Sequence, residues 1–414
     1  MNGKTLFMNR NFSILFFAAL FGVLGEGIFG LTAIVIAMEE TDSILGIGKM
    51  LVLTLLPSMF LAPFIGVMID KYSKRSIMVI CYLLRFVVMA VIPISYYFGL
   101  FTSNIFYLSI ICSYIVWYIL EPTKESILKE ILPDKLFHQG ISIVQGAWQV
   151  GLLSSAIAAG VLIDHFGVHG AELAAASTYL AGAFLFYFMS DSSKLDHEVV
   201  PENVKAYAHE FMIGWHYLIA NRSAFYFVLT TSMTLPFFYG INSLIAPFNY
   251  QSLEGTGITL GFIDSGAGIG SLASAWFCSF LVGKRNSAKL LFASIILLAV
   301  STLLFSFAKV VSIAFILYLI IGFFIGNMKV ISRIYVFENV GQEYIGRIMT
   351  TISFFSLIFS MVMSLIVSFL AERSLLYGYL MVAGSLLIPL LLLLKEQKQS
   401  TWRESACEKA TIIS

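Results

Sequence analysis

The sequence predicts an all-α polytopic membrane protein with twelve transmembrane helices in two six-helix bundles. Three observations carry that expectation. Of the 414 residues, 59% are hydrophobic and only 12% charged, and the mean hydropathy is +0.89. A soluble domain carries about 25% charged residues and could not hide so much apolar surface. The apolar runs are also long and continuous, which suits helices, whereas a membrane β-barrel alternates over short segments. Finally, the basic residues gather in alternate loops.

A hydrocarbon core takes about 20 apolar residues per helix. Spans are expected at 12–38, 44–69, 76–99, 102–121, 140–164 and 168–190, and then at 223–250, 257–283, 288–308, 310–332, 345–371 and 374–394. This gives an N-terminal bundle over 1–190, a cytoplasmic linker over 191–222, a C-terminal bundle over 223–395 and a cytoplasmic tail over 396–414. All but four of the 25 lysines and arginines then fall in the N-terminus, the tail or one set of alternate loops. The exceptions are Lys309 and Arg373 in opposite loops and Lys49 and Arg85 inside spans. Lysine and arginine mark the cytoplasmic side, so both termini are expected there, in a multi-pass protein of the cytoplasmic (inner) membrane. In the linker, Val204, Ala208, Phe211, Trp215 and Leu218 recur at helical spacing, which predicts an amphipathic helix lying on that leaflet.

Several function classes lose support at this point. Cys81, Cys112, Cys278 and Cys407 show no ligand spacing, and the six histidines form no metal-binding pattern. No cofactor motif and no phosphate-binding loop stands out, so neither enzymatic catalysis nor ATP as energy source is expected. A net charge of +1 argues against a nucleic-acid partner. Two similar half-bundles are the usual plan of a secondary transporter, with a small-molecule site near the bilayer midplane.

The most informative charge is Glu26, in FGVLGEGIFGLTAIV between Gly25 and Gly27. It lies roughly 21 Å along the first span at 1.5 Å per residue, near mid-membrane. A carboxylate there is costly, and desolvation favours its protonated form. Such a group can load a proton on one side and release it on the other, with the glycines permitting close packing around it. Asp264, in GFIDSGAGIG beside Gly266 and Gly270, is a second proton-coupling candidate. Arg85 is expected to pair with a carboxyl or to snorkel rather than to touch substrate. Polar and aromatic candidates for substrate contact are Tyr114, Trp117 and Tyr118 in the fourth span and Gln145, Trp148 and Gln149 in the fifth. Tyr239 and Asn242 follow the breaker Pro236 in the seventh, and Asn327 lies in the tenth. Aromatics with scattered amides suit a sizeable amphipathic solute.

Between the second and third spans runs GVMIDKYSKR, residues 66–75. It resembles the loop signature of the major facilitator superfamily through Gly66, Asp70, Lys71, Lys74 and Arg75, with Ser73 where the family prefers glycine. The resemblance implies that the first, fourth, seventh and tenth helices line the cavity, which would put Glu26 beside water. It also implies a latch, in which Asp70 accepts N–H groups at the start of the eleventh helix near Gln342–Arg347, where the dipole favours negative charge. LEPTKESILKEILPDKLFHQGISIVQGAWQVG, GWHYLIANRSAF, EYIGRIMTTISF and GEGIF resemble the exporter branch of macrolide-efflux and enterobactin-exporter proteins. Two departures stand out: SYIVWYILEP lacks the helix-four arginine of many proton antiporters, and GKRNSAK at 283–289 lacks the acid of the loop signature. The function so implied is proton-coupled antiport that exports a small amphipathic compound, either a siderophore-like metallophore or a drug in the manner of multidrug resistance efflux. Two alternatives stay open: a lysophospholipid translocator of the same superfamily, and a non-transporting membrane sensor or scaffold.

Overall fold

The computed structural model describes residues 4–190, 222–281, 287–339 and 345–395, together with Met212, Trp215, Leu218 and Ile219. The described residues form helices and connecting turns, without strands. Most of the expected linker helix, much of the loop at 283–289, the stretch 340–344 and the tail lie outside the described residues.

After a short turn at Lys4–Phe7, helix α1 runs Arg10–Thr41, α2 Ile44–Lys71, α3 Lys74–Tyr97 and α4 Ser103–Ile131. Each start is capped by a residue type that helix N-termini favour. The Asn9 side chain accepts the Asn11 and Phe12 N–H groups, Ser43 accepts that of Leu45, Ser73 that of Ser76 and Thr102 that of Ile105. Ser73, the position where the loop departs from the superfamily pattern, is thus the N-cap of α3. Helix α5, Asp134–Tyr187, is two spans joined at Gly167, whose φ of 71° breaks the helical path. Only glycine adopts that region at little cost. The expected boundary between the spans ending at 164 and beginning at 168 coincides with this break.

The seventh expected span is divided at Met233 into α6, Arg222–Ser232, and α7, Thr234–Pro247; Pro236 sits in the first turn of α7, where its missing N–H costs nothing. Then follow α8 Gly257–Leu281, α9 Ser287–Phe305, α10 Val311–Asn339, α11 Ile345–Arg373 and α12 Leu375–Ser385, with further helix over 387–395. Among the described residues, each expected span therefore falls on helix. Large apolar side chains such as Phe60, Phe184, Trp276 and Phe307 lie on the exterior, each more than half exposed. A water-soluble protein avoids such a surface, whereas a bilayer covers it.

The chain divides into two compact units, Met1–Val204 with Asn249–Gly268, and Lys205–Phe248 with Ile269–Ser414. In the first, α1 packs between the two arms of α5, and glycines set the closeness. A Cβ on Gly25 would meet the Tyr179 ring at 2.8 Å, and one on Gly27 would meet Ser155 Cβ at 2.6 Å. Residues two apart on a helix point to nearly opposite sides, so Gly25 faces the second arm, Gly27 the first, and Glu26 points between them. In the second unit, Phe248, Phe305, Tyr318 and Tyr379 form a buried aromatic core, with Phe248 and Phe305 ring centroids 4.6 Å apart. There, Gly270 lets α8 approach the α10 backbone, since a Cβ would meet Phe323 N at 2.7 Å.

Candidate functional site

Four helices of the first unit converge on one buried charge cluster. Arg85, on α3, is wholly buried, and its Nη2 pairs with Glu26 Oε2 on α1. The Tyr179 hydroxyl, from the second arm of α5, donates to the same carboxylate at 3.1 Å. Four rings surround the guanidinium: Tyr179 at 4.8 Å, Trp117 at 4.9 Å, Phe29 at 5.7 Å and Tyr114 at 5.8 Å. Ring faces attract cations, most strongly when water is excluded. The arrangement offsets part of the desolvation that makes a buried arginine expensive. Among the described residues, Arg85 Nε and Nη1 have no hydrogen-bond partner.

A second acid belongs to this cluster and was not among the sequence candidates. Glu172, five residues past Gly167, is fully buried; its Oε2 contacts the Thr32 hydroxyl of α1, and its Oε1 has no partner among the described residues. It lies within electrostatic reach of both Arg85 and Glu26. Its signal in the sequence was an acid embedded in small apolar residues, AELAAAS.

The sequence candidates separate into groups. Tyr114 and Trp117 join the Glu26–Arg85 cluster, whereas Tyr118 donates to the Thr54 carbonyl of α2 at 3.2 Å. Trp117 also meets Trp148, centroids 5.5 Å apart. Trp148 and Gln145 line a cavity of about 200 Å³ with Glu121, Lys124 and Phe137. Lys124 pairs with Glu121 at 2.6 Å and sits 5.0 Å from the Trp148 ring. Gln149, next in sequence, is half-buried. In the second unit, the buried Asn327 Oδ1 accepts from Ser274 Oγ at 2.9 Å, so this amide joins α8 to α10. Asn242 donates to the Phe238 carbonyl one turn back, and Tyr239 is half-buried. Asp264 is half-buried on α8 and makes no ion pair among the described residues.

In the loop signature, Lys74 pairs with Glu130 at the end of α4, and Arg75 donates to the Tyr187 carbonyl at the end of α5. Lys71 is exposed. Gly66 and Asp70 lie on α2, but their side-chain surroundings and those of Gln342 and Arg347 lie outside the described residues, as does the predicted latch.

The family model described as Major Facilitator Superfamily matches residues 15–364. No curated protein sequence matches the chain. Among solved structures, the nucleoside transporter NupG superposes with a TM-score of 0.76 at 11% identity, covering 94% of this chain and 99% of that one. The POT family transporter PepTSo gives 0.71 at 10% identity, covering 95% and 99%. A bacterial homologue of the human lysosomal transporter Spinster, inward-facing and unoccupied, gives 0.70 at 12%, covering 93% and 94%. At these identities the likeness is one of fold. The family match spans most of the sequence, and the chain belongs to the major facilitator superfamily, as a multi-pass membrane protein with a transporter fold.

Proposed function

We propose that this transporter is a proton-coupled exporter of a small amphipathic compound, a siderophore-like metallophore or a drug, working by alternating access in the cytoplasmic (inner) membrane with both termini inside. The observation that carries this reading is the ion pair of Glu26 with the wholly buried Arg85 in its ring of aromatic side chains. Charges retained inside membrane bundles are functional by default, because their burial costs so much. Protonating Glu26 would dissolve its pair and leave Arg85 to seek another partner. Proton binding at that carboxyl is therefore tied to side chains on several helices. Asp264 is the second candidate for coupling. The exporter-branch resemblance supports the direction, and the aromatic pair of Trp117 and Trp148, with the Gln145 amide beside Trp148 in the cavity, suits an amphipathic solute. Tyr114, Tyr118, Gln149, Tyr239, Asn242 and Asn327 complete the proposed substrate candidates. Gly66, Asp70, Lys71, Lys74 and Arg75 complete the proposed latch between an N-terminal bundle over 1–190 and a C-terminal bundle over 223–395.

The test is Glu26→Gln in reconstituted vesicles, with a panel of catecholate chelators, cationic drugs and lysophospholipids. Glutamine keeps the shape of the acid but cannot titrate. The expected result is retained binding and downhill exchange with loss of accumulation driven by an imposed pH gradient. Full gradient-driven accumulation by the variant would remove Glu26 from coupling. Movement of lysophospholipids alone would turn the reading to lipid translocation.

A further inference from the structure

We infer that Glu26, Arg85 and Glu172 act as one unit that binds a single proton, and that Glu172 is the group carrying it while Glu26 is paired with Arg85. Glu26 and Arg85 neutralise each other, so an ionised Glu172 would leave one negative charge in a wholly buried setting. An isolated carboxylate taken out of water neutralises itself instead of paying that desolvation.

The hydrogens around Thr32 also place a proton on Glu172. Thr32 Oγ has one hydrogen, yet three oxygens stand within its reach: the Ile28 carbonyl at 3.0 Å, the Phe29 carbonyl at 3.1 Å and Glu172 Oε2. A buried threonine in a helix ordinarily donates back to the preceding turn. If Thr32 does so, its contact with an ionised Glu172 would set two oxygens together with no hydrogen between them. A proton on Glu172 supplies that hydrogen, since a hydroxyl oxygen can accept while it donates elsewhere.

Among the described residues the other cation nearby, Lys124, is taken up by Glu121 at 2.6 Å and by the face of Trp148. Facing the cluster are Glu26 from α1, Arg85 and Tyr82 from α3, Tyr114 and Glu121 from α4, and Tyr179 from the same arm as Glu172. His169, one turn before Glu172, stacks on Tyr96 with ring centroids 3.6 Å apart. Among the described residues Arg85 is the cation whose charge acts on both acids, and its unused Nε and Nη1 donors suit a second carboxylate. When Glu26 takes a proton, Arg85 becomes the counter-ion of Glu172 and the Glu172 proton leaves. The proton count and the net charge of the unit are then unchanged.

This inference deepens the proton-coupled reading and rests on it only for the role of the proton in transport. Its test uses the purified full-length protein in lipid nanodiscs without substrate. Infrared difference spectra, in water and deuterium oxide, report a protonated carboxylic acid by its C=O stretch. At neutral pH the wild type is expected to show this band, and Glu172→Gln to lose it. Glu26→Gln is also expected to lose it, because Glu172 then serves as the carboxylate for Arg85. Thr32→Val removes the acceptor of the Glu172 proton, so the band should persist but shift to higher frequency. That variant keeps the test decisive if Glu172→Gln fails to fold. A band unchanged in Glu172→Gln, or unmoved in Thr32→Val, overturns the inference, as does a wild type without it. A wild type that shows these spectra but no gradient-driven export would refute the transport reading and leave the proton on Glu172.

Discussion

Asp164, at the end of the first arm of α5, caps the start of α8: its Oδ1 accepts the Gly257 N–H at 2.6 Å and its Oδ2 the Ile258 N–H at 3.0 Å. One carboxylate thus satisfies two free donors of a helix start 93 residues away in the chain. Charge and dipole act together there, since the N-terminus of a helix attracts negative charge. Close backbone approach supports the contact, because a Cβ on Gly160 would meet Ile258 Cα at 3.1 Å. Asp164→Ala is expected to cost about 1 kcal/mol, the usual worth of a helix cap. Hydrogen exchange should quicken at the 257 and 258 amides ahead of the rest of α8. Unchanged exchange at those two amides would show that the cap contributes nothing.

Glycines on α1 give a graded prediction. Gly25→Val would drive a branched side chain against the Tyr179 ring and the Ala175 carbonyl, the latter 3.0 Å from a Cβ. Overpacking of this kind costs about 1–3 kcal/mol, and it would also displace the hydroxyl that holds Glu26. Gly30, one turn on, has nothing within 4 Å of a Cβ, so Gly30→Ala should be neutral or stabilising through better helix propensity. Thermal unfolding in detergent compares the two. Equal losses would mean that α1 is not held by close packing at Gly25.

The helices were legible because hydropathy and the length of the bilayer core dictate them with little help from tertiary contacts. Glu26 was legible because an acid inside an apolar run demands an explanation. Its partner was not identified: Arg85 is 59 residues away on another helix, and nothing in local spacing joins them. The sequence supported only the expectation that Arg85 would find a carboxyl or snorkel. Glu172 raises no such demand, since it sits near the start of its span, where an acid ordinarily reaches water, and only the packing of α1 against α5 buries it. Asp164 was missed for a related reason, since its two donors lie in a distant turn that no periodicity connects to it. Asn327 stands out in the sequence by its polarity alone, and the link its side chain makes from α10 to α8 through Ser274 is not legible there.

Ser73 replaces the glycine of the loop signature, and its capping of α3 gives the substitution a physical basis. Ser73→Ala removes the acceptor of the Ser76 N–H and should cost about 1 kcal/mol, whereas Ser73→Gly should cost only a few tenths. The neighbouring Lys74–Glu130 pair is partly exposed, and its loss in Glu130→Gln should cost less than about 1 kcal/mol. Chemical denaturation of the purified protein tests the ordering. A glycine variant weaker than the alanine variant would contradict the capping role.

The buried pair makes an asymmetric prediction. Arg85→Gln leaves two buried acids with no cation, and breaking a buried pair this way costs about 3–5 kcal/mol. Glu26→Gln should cost less, because the charge of the wholly buried Glu172 acts on the same guanidinium and, on the inference above, takes over as its counter-ion. The double variant, Glu26→Gln with Arg85→Gln, leaves a single acid that stays neutral by keeping its proton, so its stability should recover most of the loss seen in Arg85→Gln. A double-mutant cycle from unfolding in mixed micelles measures this, and independent residues would instead give additive losses. Alkaline conditions sharpen the contrast. The acids left behind in Arg85→Gln remain buried without cost only while protonated, so its deficit should deepen as the pH rises, whereas the wild type keeps a counter-ion for one of them. A deficit independent of pH would mean that Arg85 stabilises the bundle through its aromatic contacts and not through its charge.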